Sequence, residues 1–220
     1  MFNKLHNVIF LDFETTGLNI NTLKVIDVAL NTLYKHDPGY EDLINHGIRC
    51  PVKICNLTNI TNSMLRQRGK KELEVVTNMY NYIKDIENKL NNDQSDTIPI
   101  YIVAHNGINF DFRIFRKLLE NNGFSISTNW KFLDTLSVSR KLKLTDGNSM
   151  RALCNHYEVI NDSAHRAMSD VTSLSKIYMY LLDDLCNKTN YSQYPGCENT
   201  LNKIIKTPKF PEYVLNWLNS

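Results

Sequence analysis

Residues 8–18, VIFLDFETTGL, decide the fold. The first seven are apolar except for two acids, and they read as a strand buried in a sheet. Strand side chains alternate between faces, so Val8, Phe10, Asp12 and Glu14 share one side while Ile9, Leu11 and Phe13 share the other. Two carboxylates therefore project side by side from the end of an apolar strand. The Thr15-Thr16-Gly17 turn that follows offers backbone N–H groups.

Outward from this strand, LKVIDVALNTLY (23–34) reads as a second strand and LINHGIRCPV (43–52) as the place of a third. KHDPGYED (35–42) supplies the turn between them. Residues 60–90 carry helical periodicity broken near Gly69, which predicts a short helix and then a long one. NNDQSDTIP (91–99) is polar punctuation, and IYIVAHN (100–106) is a continuous apolar run suited to a central strand. FDFRIFRKLLENNGF (110–124) reads as a helix closed by Asn-Asn-Gly, and KFLDTLSVSRKL (131–142) as a short strand feeding a helix. NSMRALCNHYEV (148–159) is another helix with Asn148 or Ser149 as N-cap, and SDVTSLSKIYMYLLDDL (169–185) is the long final one. A three-stranded meander followed by alternating strands and helices implies an α/β domain, a mixed β-sheet covered by helices. From residue 187 the periodicity fades, leaving 187–220 as a tail or docking segment in which FPEYVLNWL (210–218) could form an amphipathic turn.

The 220 residues suit one domain with an ordinary core. No apolar run approaches the roughly 20 residues that span a bilayer, and the N-terminus is not built as a signal peptide, so an intracellular protein without a membrane partner is expected. Five cysteines, odd in number and without a CxxC pair, read as reduced thiols rather than a disulfide framework or a zinc site with His46, Cys50 and Cys55. The net charge of +2 excludes nothing. Locally, Arg49, Lys53, Arg66, Arg68, Lys70 and Lys71 fall in a stretch without an acid, either a solvated face or a landing strip for phosphates.

Asp111 lies three and four residues before Ile114 and Phe115, on the apolar stripe of its helix, and Asp170 stands four before Leu174 on the inward side of the last one. Each alone would serve as an ordinary helix-start acid, and Asp12 and Glu14 as strand-edge solvation. Together they place four carboxylates at the ends of core elements. Two carboxylates about 4 Å apart repel by about 4 kcal/mol at an effective dielectric near about 20, and burial then favours proton uptake unless a cation intervenes. All-oxygen coordination suits Mg²⁺ or Mn²⁺, and a pair of such ions suits phosphodiester hydrolysis. His165, in the polar lead-in NDSAHRAM, supplies a proton acceptor.

LDFETTGL, HNGINFDFRIF and HRAMSDVTSL resemble, in this order, the three motifs of the DEDDh exonucleases of the ribonuclease H-like superfamily, and most closely the proofreading subunit of bacterial DNA polymerase III and its relatives. The likeness runs over about residues 5–186, including LTNITNSML, DTLSVSRKL and NSMRALCNHYEV. It implies a ribonuclease H-like mixed β-sheet with helices on both faces and an exonuclease domain over residues 1–186. By position, Asp12, Glu14, Asp111 and Asp170 would hold two Mg²⁺ or Mn²⁺ ions with His165 as general base. Thr15, Thr16 and Leu18 would line the pocket of the 3′-terminal nucleotide through backbone N–H groups and apolar contact. His105 and Asn106 would lie beside the scissile phosphate, and Phe110 would pack. Asn59 stands where relatives often carry Gly, and Asn tolerates a left-handed backbone. A histidine, rather than a tyrosine four residues before the last Asp, sets the chain apart from the sister DEDDy branch.

The expected activity is a metal-dependent 3′→5′ exonuclease releasing mononucleotides from single-stranded or frayed DNA or RNA ends. Bases of 49–71 with Lys141 or Lys143 are candidates for backbone contacts, and 187–220 for binding a polymerase or other replication protein. RNA trimming, a non-catalytic nucleic-acid-binding module of the same fold, and a nucleotide or dinucleotide hydrolase are the alternatives. Nothing in the residues separates DNA from RNA.

Overall fold

The computed structural model describes residues 7–33, 36–91, 98–144 and 147–188, with side chains to 184. Strand β1 (Val8–Thr15) is central, paired antiparallel with β2 (Val25–Thr32) and parallel with β4 (Ile100–Ala104). Strand β3 (Tyr40–Leu43) extends β2 antiparallel, and β5 (Trp130–Asp134) extends β4 parallel, giving the order β3-β2-β1-β4-β5. This mixed five-stranded sheet is the ribonuclease H-like arrangement that the motifs imply.

Alternation on β1 divides the core in two. Val8 and Phe10 pack with Ala29, Tyr101 and Val103 beneath α5 (Thr135–Leu142), α6 (Met150–His156) and α7 (Ala167–Lys188). Ile9, Leu11 and Phe13 pack with Val28, Leu30 and Ile102 against α3 (Glu72–Asn91) and α4 (Asp111–Asn121). Helices thus cover both faces, as expected. β4 is buried at every position, which explains its unbroken apolar run.

One sequence expectation moves. The third strand occupies 40–43 rather than the vicinity of 43–52, because Asn45 Oδ1 accepts from the Gly47 N–H at 2.9 Å and turns the chain just after Leu43. Beyond it the apolar residues enter α1 (Val52–Thr58), with Ile54 and Cys55 packed against Ile26, Leu43 and Ile60. This helix was not expected from the sequence; Pro51 opens it. α1 closes at Asn59 in the left-handed conformation, φ 57°, the role Asn was expected to take there. The break near Gly69 separates α2 (Asn62–Arg68) from α3, and Ser149 caps α6 through its hydroxyl. The punctuation at 92–97 and the tail from 189 lie outside the described residues. No helix among the described residues is long and apolar enough to cross a membrane.

At the sheet end away from the acids of β1, buried Glu87 on α3 holds the entry to β5. Its carboxylate accepts from Lys84 Nζ (2.6 Å), Asn129 Nδ2 (3.0 Å), Ser127 Oγ (3.2 Å) and Trp130 Nε1 (3.3 Å). Glu87→Ala leaves these donors without their acceptor, Trp130 Nε1 in a buried place. A loss of about 3 kcal/mol is expected. Thermal unfolding should show Tm lower by about 6–12 °C, with activity per folded molecule unchanged.

Candidate active site

The acids converge at the carboxyl ends of β1 and β4, where α/β sheets commonly place their chemistry. Asp12 and Glu14 leave β1 on the α7 side, and a register shift between Glu14 and Thr15, with Thr15 still paired to Val25, marks a bulge in the β1–β2 ladder beside them. Asp111 opens α4 and is 3 % exposed. Asp170 lies in the first turn of α7, its carboxylate held by Asn161 Nδ2 at 2.7 Å and by the backbone N–H of His165 at 2.9 Å. Ser169 Oγ donates to Asn161 Oδ1 (2.8 Å) and fixes that amide in turn. One ligand atom each from Glu14, His165 and Asp170 lies within 4.8 Å of the other two.

Crowding of like charge governs the chemistry. Burial pushes the Asp12 carboxyl well above its usual range, reinforced by Asp111, Asp170, Glu14 and Asp27. Glu14 is raised to about 8 by burial and then by Asp170, Asp27 and Asp111, with Arg166 opposing. Asp111 rises to about 7, burial outweighing the backbone amides of Asp111 and Phe13, and its buried Oδ1 has no hydrogen-bond partner. Asp170 is raised by burial against the pull of Asn161 and His165. An orphaned carboxylate oxygen beside three destabilised acids fits a hard cation, and the oxygen-rich donor set with one imidazole suits it.

The sign of the pH dependence follows from these shifts. A carboxyl raised in the folded state adds stability in full below its unfolded value and loses it as pH climbs through the folded one. For Glu14 that window runs from 4.5 to about 8, and Asp111 and Asp27 titrate in the same direction. Metal-free protein is therefore expected to melt at a higher temperature at pH 6 than at pH 8.5. Millimolar Mg²⁺ or Mn²⁺ should raise Tm more at pH 8.5, with EDTA as reference in differential scanning fluorimetry. A flat profile with no cation effect would remove the cluster.

The structure distributes the remaining expected residues differently. Leu18 is 85 % exposed beyond β1, available for apolar contact. Thr15 Oγ1 donates to Gly17 O at 2.7 Å. The Thr16 N–H is spent on Lys24 O and its hydroxyl accepts from the Lys24 N–H, both at 2.9 Å, because backbone pairing continues past the end of β1. That amide is not free for a ligand as the turn had suggested. His105 Nδ1 meets Thr135 Oγ1 at 3.0 Å, and the Asn106 N–H donates to Asp134 Oδ1 at 2.8 Å, so these bonds tie the loop to the start of α5 rather than to the acids. Burial lowers the His105 pKa. Asn106 takes φ 64°, and at Gly107 any Cβ would stand 2.6 Å from the Phe112 ring, so the loop closes tightly before Asp111. Of the basic run, Lys70 is paired with Asp42 at 2.9 Å, while Arg49, Lys53, Arg66, Arg68 and Lys71 are exposed.

Four contributors were not singled out from the sequence. Asp134 caps α5 and accepts from Asn106 and Ile108 N–H groups (2.8 and 3.2 Å); an Asp at a strand-to-helix junction was the available signal. Asn161 is simply a polar loop residue until it meets Asp170. Asp27 and Arg166 pair at 3.1 Å across the fold, and nothing local announces that contact.

A family model described as "Exonuclease" matches residues 9–178. The chain is 30 % identical over 195 residues to Exonuclease DPD1, chloroplastic/mitochondrial, of Arabidopsis thaliana, covering 83 % of this chain and 58 % of that protein. It is 29 % identical over 221 residues to the PolC-type DNA polymerase III of Ureaplasma parvum, covering 96 % of this chain and 14 % of the polymerase. Among solved structures, Escherichia coli Exonuclease I in complex with a dT13 oligonucleotide superposes with a TM-score of 0.66 at 16 % identity, over 84 % of this chain and 42 % of that one. The chain thus spans little more than half of one curated relative and a small part of the other.

Proposed function

The chain belongs to the exonuclease family, and from this we propose that it shortens single-stranded or frayed DNA or RNA one nucleotide at a time from the 3′ end by hydrolysing the terminal phosphodiester. The observation that carries the reading is the meeting of Glu14, His165 and Asp170 beside destabilised Asp12 and the orphaned Oδ1 of Asp111. Asp12, Glu14, Asp111 and Asp170 would hold two Mg²⁺ or Mn²⁺ ions. When bound, such ions offset phosphate charge and acidify water.

The protein's own groups supply the rest. His165 is exposed at the rim while its backbone is tied to Asp170, so its imidazole can accept the proton of the attacking water without leaving the cluster. Asn161 and Ser169 hold Asp170 in one orientation. Leu18 offers an apolar surface to the terminal base, and Thr15 and Thr16 shape the turn beneath it. The exposed bases of 49–71 lie beyond β3, where Ile44 bridges Lys70, and are candidates for backbone phosphates. His105 and Asn106 act by setting the loop before Asp111. We assign catalysis to residues 1–186 and contact with a polymerase or other replication protein to 187–220. The polymerase relative favours DNA as the polymer.

A time course with matched 5′-labelled single-stranded DNA and RNA, in Mg²⁺ or Mn²⁺ and with EDTA controls, tests the proposal. A metal-dependent ladder shrinking from the 3′ end is expected, and the faster polymer names the substrate. Tight strand binding without cleavage would instead favour the non-catalytic module, and cleavage confined to dinucleotides the nucleotide hydrolase.

A further inference from the structure

His165 adopts φ 67°, a left-handed backbone that a residue with a Cβ rarely takes without being held there. On one side it is held by the bond from its N–H to Asp170. On the other side stands Arg166. Its Nε donates to Asp27 Oδ2 at 3.1 Å and its Nη2 to Glu41 Oε1 at 2.8 Å, while the Ala167 N–H reaches the same Asp27 oxygen at 3.4 Å. The Arg166 carbonyl accepts from the Asp170 N–H at 3.0 Å, the bond that starts α7. Asp27 is fully buried and pairs with Glu14 across the β1–β2 ladder, so the anchor stands directly beside a cluster acid. Glu41 lies on β3, opposite Ala29 of β2, and the guanidinium therefore bridges two strands.

We infer that Arg166 is the positioning residue of the centre: through Asp27 and Glu41 it clamps the start of α7 to the sheet and so keeps His165 and Asp170 with Glu14. The inference rests on the exonuclease reading for its kinetic readout alone. A guanidinium suits the task because two of its nitrogens reach two carboxylates in a fixed fork, which a single lysine ammonium cannot reproduce. Its charge also opposes the upward shift of Glu14 and Asp27, lessening repulsion where acids crowd.

The test compares Arg166→Gln, Arg166→Lys, Glu41→Gln and the Arg166→Gln/Asp27→Asn pair with the wild type. Three quantities are read: circular dichroism for the fold, Mn²⁺ affinity of metal-free protein by calorimetry, and kcat and KM on a labelled single strand. Loss of a partner that orients ligands typically costs about 10–100-fold in metal affinity or activity. Arg166→Gln should fall in that range for kcat and for Mn²⁺ affinity, with KM for the strand nearly unchanged. Arg166→Lys should recover little, Glu41→Gln should be milder, and the double variant should be scarcely worse than Arg166→Gln. The inference is overturned if Arg166→Gln keeps kcat and Mn²⁺ affinity within about twofold, if KM alone rises, or if lysine restores full function. Should Arg166→Gln not fold, Arg166→Lys decides: kcat and Mn²⁺ affinity within about twofold of the wild type overturn the inference. A wild type that binds Mn²⁺ without cleaving any strand ends the exonuclease reading and leaves Mn²⁺ affinity to judge Arg166. One that neither binds nor cleaves ends both.

Discussion

Asp12→Asn is expected to abolish 3′-end shortening while raising the melting temperature of the metal-free protein. The two effects share one cause. Asp12 stands among Asp111, Asp170, Glu14 and Asp27, so its charge is unfavourable in the fold until a cation arrives. Asparagine keeps the shape and removes that charge, and the metal-free fold gains most at pH 8 and above, where the neighbouring acids ionise. The same change takes a negative oxygen from the proposed cation site. Several kcal/mol of transition-state stabilisation are at stake, and at 1.36 kcal/mol per decade a loss of about 10³-fold or more in kcat is expected. Gel kinetics together with scanning fluorimetry in EDTA read both signs. Retention of activity within tenfold, or a lower Tm in EDTA, would sink the assignment. Opposite changes in stability and activity mark a site strained for its function.

The second large effect is His165→Ala. Removing a general base typically costs about 10²–10⁴-fold, and a fall in kcat of that size is expected here. His165 is exposed and its bond to Asp170 comes from the backbone, which alanine retains. Stability should therefore stay within about 0.5 kcal/mol. Mn²⁺ affinity should hold to within a few fold, because the carboxylates remain. This separates the variant from Asp12→Asn, which loses turnover together with cation binding. Near-normal turnover would falsify the role of the imidazole. A collapse of Mn²⁺ affinity would make His165 a ligand instead.

Much of this centre is legible along the chain because its signals are local. Alternation on 8–14 puts Asp12 and Glu14 on one face, and the helical stripe through Ile114 and Phe115 carries Asp111 inward, where it is buried. Turn chemistry was less legible. The apolar residues of 43–52 match a strand, yet the Asn45–Gly47 turn ends β3 at Leu43 and Pro51 opens α1 at Val52. Thr16 shows the same limit, since only the continued pairing with Lys24 reveals that its amide is taken.

The α/β class, the order of the elements other than β3 and α1, and the acids and histidine that the proposed chemistry needs were legible along the chain, because periodicity and motif spacing are properties of neighbouring residues. That Asp27 is a further buried acid beside the cluster, with Arg166 as its counter-ion, emerged from the folded arrangement alone. The same arrangement also showed that Asn161 and Asp134 orient Asp170 and the loop before Asp111. Arg166 and Asp27 lie 139 residues apart in the chain. Each taken alone is an ordinary charged residue, and their contact exists only because the last helix docks its first turn against the second strand, a juxtaposition set by packing of the whole sheet rather than by any local preference.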